Sequence, residues 1–582
     1  MIKATGSQII VKLLELEGIK TVAGLPGGYI LPLYDELNKS SIKHVLVRQE
    51  QAAGFIAQGM ARSSGKPAVC MVTSGPGAMN LLTAVADARC DSVPIIAFTG
   101  QVNTSMIGTD SFQEADTFGL SFPITKHSIM VTRAEDLFTV IPKAFAIATS
   151  GRPGPVLIDL PKDVQTATVE FDSWPTAKTF NSISKPYKTL KHATSKEELK
   201  EIIQNMTHLM LNAKKAVLFL GGGCNSPDAS LCINTLLDSY NAVVTTSLMG
   251  IGAVPKSAKN NLGMVGMHGS YAANVAMHDA DLVLALGVRF DDRATGVISK
   301  FSPNAQILHI DVDAAEINKI LPSSLSIVGE IQNILPQLTS LISSEKKKNS
   351  EASKERNKWL NELLEIKAKT EDILLGRCKN VPKDSVNPRA FIRDIPLMAE
   401  KAGVKPENII VTTDVGQHQM WTAQFYPVEK PRQFLTSGSL GTMGLGLPAA
   451  IGASLNNKSK RVVCVSGDGS ILMNIQELIT LNEEDLNVTI FVLQNGSLGM
   501  VRQQQMYLFK KNYSASEFEK QPDFLTVAKG FGIDAIDANE DKEWYKKAFS
   551  KGPHLVVLHI DKDENVLPFV ASGHANIDPL KV

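Results

Sequence analysis

Residues 461–505 constrain the fold of this 582-residue chain more than any other stretch. Arg461-Val462-Val463-Cys464-Val465-Ser466 is a short apolar run rich in β-branched residues, the pattern of a buried strand. It stops at Gly467-Asp468-Gly469-Ser470, after which Ile471, Ile475, Leu478 and Ile479 recur at helical spacing. A second apolar run, Val488 to Leu493, ends at Gln494-Asn495-Gly496. Strand, glycine turn, helix and strand make a βαβ unit, and with it a parallel sheet. In such sheets ligands bind beyond the carboxyl ends of the strands, where Asp468 and Asn495 both fall. A carboxylate and an amide oxygen at that edge suit Mg2+, with backbone, water and a diphosphate filling the other positions. The N–H groups of the helix start face the same phosphates. The plainer alternative is an ordinary strand-to-helix turn followed by a polar loop.

A chain of this length exceeds what one core can organise, so two to four domains are expected. Lys+Arg and Asp+Glu both number 59, which leaves no global field to attract nucleic acid. The six cysteines (70, 90, 224, 232, 378, 464) include no Cys-x-x-Cys pair, and Cys70 and Cys464 lie in strand-like runs. They read as buried thiols in a reducing compartment. Ile9, Ile10, Leu13 and Leu14 begin a helical pattern with no signal-peptide core, and no apolar run reaches membrane-spanning length. A cytoplasmic protein without membrane contact is expected.

Helix and strand patterns alternate along the chain, which predicts an α/β protein of three doubly wound parallel-sheet domains. The first covers residues 1–165, with strands at His44–Val47, Ala68–Val72, Val93–Phe98 and Pro155–Leu160. Residues 166–195 lose periodicity and read as a linker. The second covers 196–342, with strands at Ala216–Leu220, Ala242–Thr246, Asp281–Leu286 and Gln306–Ile310. Residues 343–375 are a charged connector, helical and solvated in composition. The third covers 376–555, and a polar tail occupies 556–582.

Asp468 and Asn495 lie 27 positions apart, and this Gly-Asp-Gly…Asn arrangement resembles the thiamine diphosphate (ThDP) signature. Arg48-Gln49-Glu50-Gln51-Ala52-Ala53 and Thr73-Ser74-Gly75-Pro76-Gly77 precede it in the order and spacing of the ThDP decarboxylases and carboligases. Within that superfamily the chain is similar, over nearly its whole length, to the catalytic large subunit of the acetohydroxyacid (acetolactate) synthase family. Four stretches carry the resemblance: Gly24-Leu25-Pro26-Gly27-Gly28, Ile107-Gly108-Thr109-Asp110-Ser111-Phe112-Gln113-Glu114, Gly287-Val288-Arg289-Phe290-Asp291-Asp292-Arg293, and Ser437-Gly438-Ser439-Leu440-Gly441-Thr442-Met443-Gly444.

The resemblance implies three cofactors: ThDP, Mg2+ and FAD. Glu50 would hydrogen-bond the aminopyrimidine ring and promote its imino tautomer; taken alone, a glutamate at a helix N-terminus merely complements the dipole. Pro26, Gly28, Gly75 and Asn80 would line the pyrimidine side. Val415, Gly416, Gln417 and His418 would face the diphosphate, with Gln417 and His418 donating to its oxygens. Gly467, Asp468, Gly469 and Ser470, then Leu498, Gly499, Met500 and Val501, would complete that cradle. Gly441 and Met443 would prop the cofactor, Met443 wedging it into a bent shape. The metal would take Asp468, Asn495 and the backbone oxygen of Ser497.

FAD would lie against Gly221-Gly222-Gly223, Thr246-Ser247-Leu248, Gly266-Met267-His268-Gly269, Gly287, Arg289, Asp291, Arg293 and Asp311-Val312. Glycine at a strand end lets backbone approach a pyrophosphate, although no Gly-x-Gly-x-x-Gly fingerprint is present. Gln113 and Lys162 match positions near the reacting carbon and the site mouth. Arg293 would bind the carboxylate of the second 2-ketoacid substrate, oriented by Asp292, while Phe112, Met267 and Gln504 shape the acceptor pocket. The implied reaction decarboxylates pyruvate and joins the remaining two carbons to a second 2-ketoacid. Because pyrimidine and diphosphate units of different subunits meet in that superfamily, a homodimer or dimer of dimers is implied. A regulatory small subunit is a further candidate partner.

The chain departs from the family at four places. Gln49 replaces a usual His, Gln494 a frequent Asn, and Ala571-Ser572-Gly573-His574 a usual Pro-Pro-Gly-Ala. Gln504 replaces the usual Trp that narrows the acceptor pocket, so weak discrimination between pyruvate and 2-ketobutyrate is expected. An FAD-dependent pyruvate oxidase, a FAD-free catabolic synthase and a non-catalytic scaffold are the competing readings.

Overall fold

The computed structural model describes residues 1–186, 195–345, 350–376, 382 and 384–580. Within it stand the three doubly wound sheets that the sequence predicts, each of six strands and each wholly parallel. The first runs, from edge to edge, Lys43–Leu46, Thr21–Leu25, Ala68–Val72, Ile95–Gln101, Val156–Pro161 and His127–Met130. The second runs Asn261–Met264, Val243–Thr246, Ala216–Leu220, Leu282–Leu286, Gln306–Asp311 and Leu325–Val328. The third runs Phe434–Leu435, Ile409–Thr413, Arg461–Gly467, Val488–Gln494, His554–His559 and Asp534–Asp537. Helices cover both faces, so central strands are apolar throughout rather than alternating. Every residue of Ala68–Val72, Ile95–Gln101 and Arg461–Gly467 is buried.

The first and third sheets share one apolar core, which passes from Ala23 and Val72 through Ile56 and Ala450 to Val462 and Ile490. The seam is the packing of helix Glu50–Ser64 on helix Gly446–Asn456. Backbone meets backbone there. A Cβ on Gly59 would lie 2.2 Å from the Ala449 carbonyl oxygen, and one on Gly452 would lie 2.0 Å from that of Ile56. The second sheet has two cores of its own and also seats Met264 in the core of the third.

Four expectations need correction. The 166–195 linker is ordered where it is described: Thr168–Phe171 pairs antiparallel with Ile2–Thr5, and helix Ala177–Ser184 buries Phe180 in the first core. Among the described residues Val169, Phe171, Trp174 and Phe180 carry that docking, too few for a visible period; residues 187–194 lie outside the described residues. The connector is helical over Ser350–Gly376, but Trp359, Leu363 and Leu374 are buried and Arg356 donates to the Ala213 carbonyl at 2.6 Å. Its charge masks an apolar stripe; residues 346–349 lie outside the described residues. Strand His554–His559 crosses the expected boundary at 555, and the tail beyond it buries Val566, Leu567, Phe569 and Val570. Finally, the helix expected through Ile471–Ile479 is a single turn, Asp468–Ile471, and then a second helix, Glu477–Glu483. Asn474 breaks it by donating its side-chain amide to the Gly444 carbonyl at 2.7 Å.

Candidate active site

Parallel register delivers the residues of the cofactor cradle to one edge. Strands Ile409–Thr413, Arg461–Gly467 and Val488–Gln494 are neighbours, so Asp414, Asp468 and Asn495 emerge side by side. Asp468 is buried, and one carboxylate oxygen accepts the N–H groups of Asn495 at 3.1 Å and Gly496 at 2.7 Å, with the Gln521 amide at 2.5 Å. Burial still pushes its carboxyl above the usual range, the sign of an anion short of positive charge. Asn495 turns its oxygen to the N–H and hydroxyl of Ser497, both at 3.1 Å.

The donor set at this edge tests the fit of a metal. Among the described residues no cluster of three or more His, Cys, Asp or Glu could hold an ion. A cation at Asp468 therefore has one carboxylate and otherwise neutral oxygens, and it needs phosphate oxygens to complete its shell. That suits Mg2+ carried on a diphosphate. The Nε2 of buried His418 has no hydrogen-bond partner, a vacancy that a phosphate oxygen satisfies. Burial lowers the His418 pKa to about 3, so the ring is neutral, and it donates to a phosphate oxygen only in the tautomer that carries the proton on Nε2. Gly499 must be glycine, because a Cβ there would meet Gln417 Oε1 at 2.1 Å and Asn495 Nδ2 at 2.7 Å.

Gln417 also lines the cavity at this edge, with its amide engaged within the protein. Its amide N–H groups go to Gln503 Oε1 at 3.0 Å and the Glu564 carbonyl at 3.1 Å, and its oxygen accepts Asn495 Nδ2 at 3.2 Å. It braces the Asn495 side-chain amide.

A cavity of about 850 Å3 runs from this edge to the carboxyl edge of the central sheet. On one side it meets Val415, Gly416, His418, Gly441, Met443, Gly467, Gly469, Ser470 and the stretch Leu498 to Val501, with Gln504 beyond. On the other it meets Gly221–Gly223, Ser247, Leu248, Met267, His268, Gly287, Arg289, Asp291, Arg293, Asp311 and Val312. Three expected flavin positions stand back. Gly266 and Gly269 shape the turn behind Met267 and His268, and Thr246 faces a separate cavity of about 70 Å3. Arg289 is already engaged, donating to the Cys90 carbonyl at 2.7 Å and to the Ser439 hydroxyl. Arg293 is largely exposed at the cavity, with a loose 3.7 Å contact to Asp292 and its Nη1 donating to Met267 Sδ at 3.7 Å.

The loop that carries Met443 is held by residues the sequence reading missed. Asp87 accepts the hydroxyls of Ser437 at 2.5 Å and Thr442 at 2.9 Å, and Asp91 accepts the N–H groups of Gly438 and Ser439, each at 2.9 Å. Arg62 lies between both carboxylates, at 3.3 and 3.0 Å. Two acids four apart, Asp87 in the apolar helix Pro76–Cys90 and Asp91 at its C-cap, were the signal available.

The first sheet gathers a second, separate group at its own carboxyl edge. Buried Glu50 accepts Asn80 Nδ2 at 2.9 Å, and a Cβ on Gly77 would lie 3.3 Å from its carboxylate. Gln113 adopts φ +60° and lays its backbone against Gly75, itself at φ +55°. Lys162 stands 5.8 Å over the Tyr29 ring, just beyond Pro26 and Gly28, and Phe112 is 78% exposed. None of these residues lines the large cavity. A single chain thus brings the Asp468 group to the flavin-side residues, and leaves the Glu50 group on a different face.

The chain matches three models of the thiamine pyrophosphate enzymes: the N-terminal TPP-binding domain over residues 4–120, the central domain over 203–338 and the C-terminal TPP-binding domain over 414–560. It is 44% identical to the acetolactate synthase isozyme 1 large subunit of Escherichia coli (strain K12), across 99% of this chain and 97% of that protein. It is 39% identical to the isozyme 2 large subunit of the same organism, across 99% of each. A probable acetolactate synthase large subunit of Methanocaldococcus jannaschii is 41% identical across 98% of this chain and 94% of its own length. With similarity of this degree running end to end, the chain belongs to the acetolactate synthase large-subunit family of thiamine pyrophosphate enzymes.

Proposed function

We propose that the protein is an acetolactate synthase: it converts two pyruvate molecules into acetolactate and CO2, and accepts 2-ketobutyrate as the second substrate to give acetohydroxybutyrate. This is the first common step of branched-chain amino acid synthesis. The observation that carries the reading is the buried Asp468–Asn495 pair with unpartnered His418 beside it, in a chain similar over its full length to acetolactate synthases.

ThDP, when bound, supplies a nucleophilic carbon and an electron sink for the decarboxylation. The chain's own residues do the rest. Asp468, Asn495 and the Ser497 carbonyl hold Mg2+, and His418 and the N–H groups from Gly469 onward hold the diphosphate. Met443, on its Asp87-braced loop, sets the bend. Glu50 holds a proton at the aminopyrimidine ring nitrogen. Gln113 and Lys162 face the reacting carbon, and Arg293 binds the acceptor carboxylate. The central sheet edge, where Gly221 and Gly287 pack backbone against backbone, would hold FAD, with no net electron transfer to it in turnover.

Since Glu50 and Asp468 stand apart in one chain, each centre joins the Glu50 group of one protomer to the Asp468 group of another. The exposed Phe112 and Phe122 flank that face and suit burial by a second copy. In this reading residues 1–165, 196–342 and 376 to beyond His559 are the pyrimidine, flavin and diphosphate domains. The relatives' designation as large subunits supports a small-subunit partner, and a cytoplasmic location completes the picture.

The test is the visible spectrum of the purified protein, then product analysis with pyruvate, ThDP and Mg2+. A flavin band, acetolactate formed and no oxygen uptake support the synthase. Flavin bleaching by pyruvate, with acetate or acetyl phosphate as product, supports an oxidase instead.

A further inference from the structure

Glu477 is a buried carboxylate that the chemistry above does not use. It opens the second helix after Asp468, and its side chain is fully enclosed. One oxygen accepts the backbone N–H of Arg48 at 2.9 Å, with the Gln49 N–H on the same carboxylate. The other accepts the Thr480 hydroxyl at 2.7 Å. Arg48 and Gln49 are the residues immediately before Glu50, and Gln49 is the N-cap of the helix that Glu50 begins. The same short helix reaches that turn twice more. Glu483 takes the Arg48 guanidinium with both oxygens, at 2.8 and 2.5 Å, and Thr480 Oγ1 lies 3.3 Å from the Leu46 carbonyl.

The turn needs such an anchor. Backbone N–H groups at a helix start have no partner within the helix, and a carboxylate accepts them more strongly than a neutral group does. Burial pushes the Glu477 carboxyl above its ordinary range, so the anchor itself costs stability. A group kept at such a cost fits a role in placement.

We propose that Glu477 is a positioning residue for Glu50, fixing the Arg48–Gln49 turn to the helix that follows Asp468. The proposal rests on the shared-centre reading. In a dimer of that kind, Glu50 and Asp468 of one chain serve different centres. Glu477 therefore acts on the centre that its own chain's Asp468 does not serve.

Mixed dimers of differently tagged chains test this, with turnover and C2 deuterium exchange of bound ThDP both measured. Glu477→Ala removes the anchor; Glu477→Asp keeps the charge but withdraws it from Arg48, and serves if the alanine variant fails to fold. Asp468→Asn disables the diphosphate side. With the two changes on opposite chains, one centre collects both defects and the other is intact, so about half of the wild-type activity and exchange remains. With both on one chain, each centre carries one defect, and exchange falls at least tenfold. The reverse pattern, half activity from the doubly changed chain and loss from the opposite arrangement, overturns the proposal by placing the effect of Glu477 in its own diphosphate half. Equal loss in both arrangements overturns it as well. Glu477→Gln, which retains an acceptor, stays within about threefold of wild type; a tenfold loss there assigns the effect to charge and not to placement. The reading beneath it is checked separately. Mixed Glu50→Gln and Asp468→Asn dimers recover half activity if centres are shared, and none if they are not.

Discussion

Asn576 donates its side-chain amide to the Ala294 carbonyl at 2.7 Å, one residue past Arg293. The tail makes further holds on this segment: the His574 carbonyl accepts the Val297 N–H, Val570 N–H reaches the Met267 carbonyl at 2.9 Å, and Phe569 stacks on His268. The tail is a strap across the loop that carries Arg293, the proposed acceptor-binding arginine. Asn576→Ala removes a buried hydrogen bond of about 1 kcal/mol or more. The expected result is a rise of roughly fivefold or more in KM for the 2-ketoacid with kcat little changed. Steady-state kinetics decide; an unchanged KM with a lowered Tm makes the tail purely structural.

Gln504 lines the large cavity near Val501 and Met500. A tryptophan there adds apolar contact for one extra methyl group, a difference of about 1–3 kcal/mol. Gln504→Trp should raise the acetohydroxybutyrate to acetolactate ratio roughly tenfold in competition assays with both acceptors. An unchanged ratio places the acceptor methyl elsewhere.

Asp468 is the charged ligand proposed for the metal. Asp468→Asn should cut acetolactate formation at least 100-fold. It should also abolish the rise in Tm that ThDP and Mg2+ give the wild-type protein, because ligand stabilisation follows affinity. Thermal melts with and without both cofactors check this. A preserved Tm shift moves the metal away from Asp468.

Asp159 gives a pH dependence with a definite sign. It is buried between Thr99 Oγ1 at 2.7 Å and Gln101 Nε2 at 3.0 Å, and Gln101 also holds the Ala115 carbonyl beside the Gln113 loop. Burial raises its pKa to about 7, and the Asp116 charge adds to the rise. The folded state therefore binds a proton that the unfolded state has released above pH ~4. Its contribution to stability is full below that pH and is lost as pH climbs through about 7. Asp159→Asn has no charge to bury, so its Tm should change less between pH 5 and 8 than that of the wild type. Parallel Tm–pH curves for the two proteins would remove Asp159 from the account.

What was legible in the sequence follows from range of interaction. The Gly467–Ser470 turn, Glu50 at its helix start and the Gly221–Gly223 approach are written in local patterns, and each falls at a strand's carboxyl end. The clamp of Asp87 on Ser437 joins residues 350 positions apart, and no local period announces it. At Gln417 the motif fixes where the side chain begins but not which of several partners it takes: its amide is engaged by Gln503, Glu564 and Asn495. The tail was misjudged because Val566, Leu567, Phe569 and Val570 form a short apolar run among polar residues, with a surface to bury against that exists only in three dimensions.

The bare backbone contact of Gly59 and Gly452 with the opposing helices has a thermodynamic consequence. Since one core serves the first and third sheets, neither can melt and leave the other's hydrocarbon covered. A calorimeter should therefore resolve two cooperative bodies, not three. The central sheet, which has two cores of its own and, among the described residues, reaches the third sheet's core only through Met264, Leu248 and Ile251, should melt as the separate body.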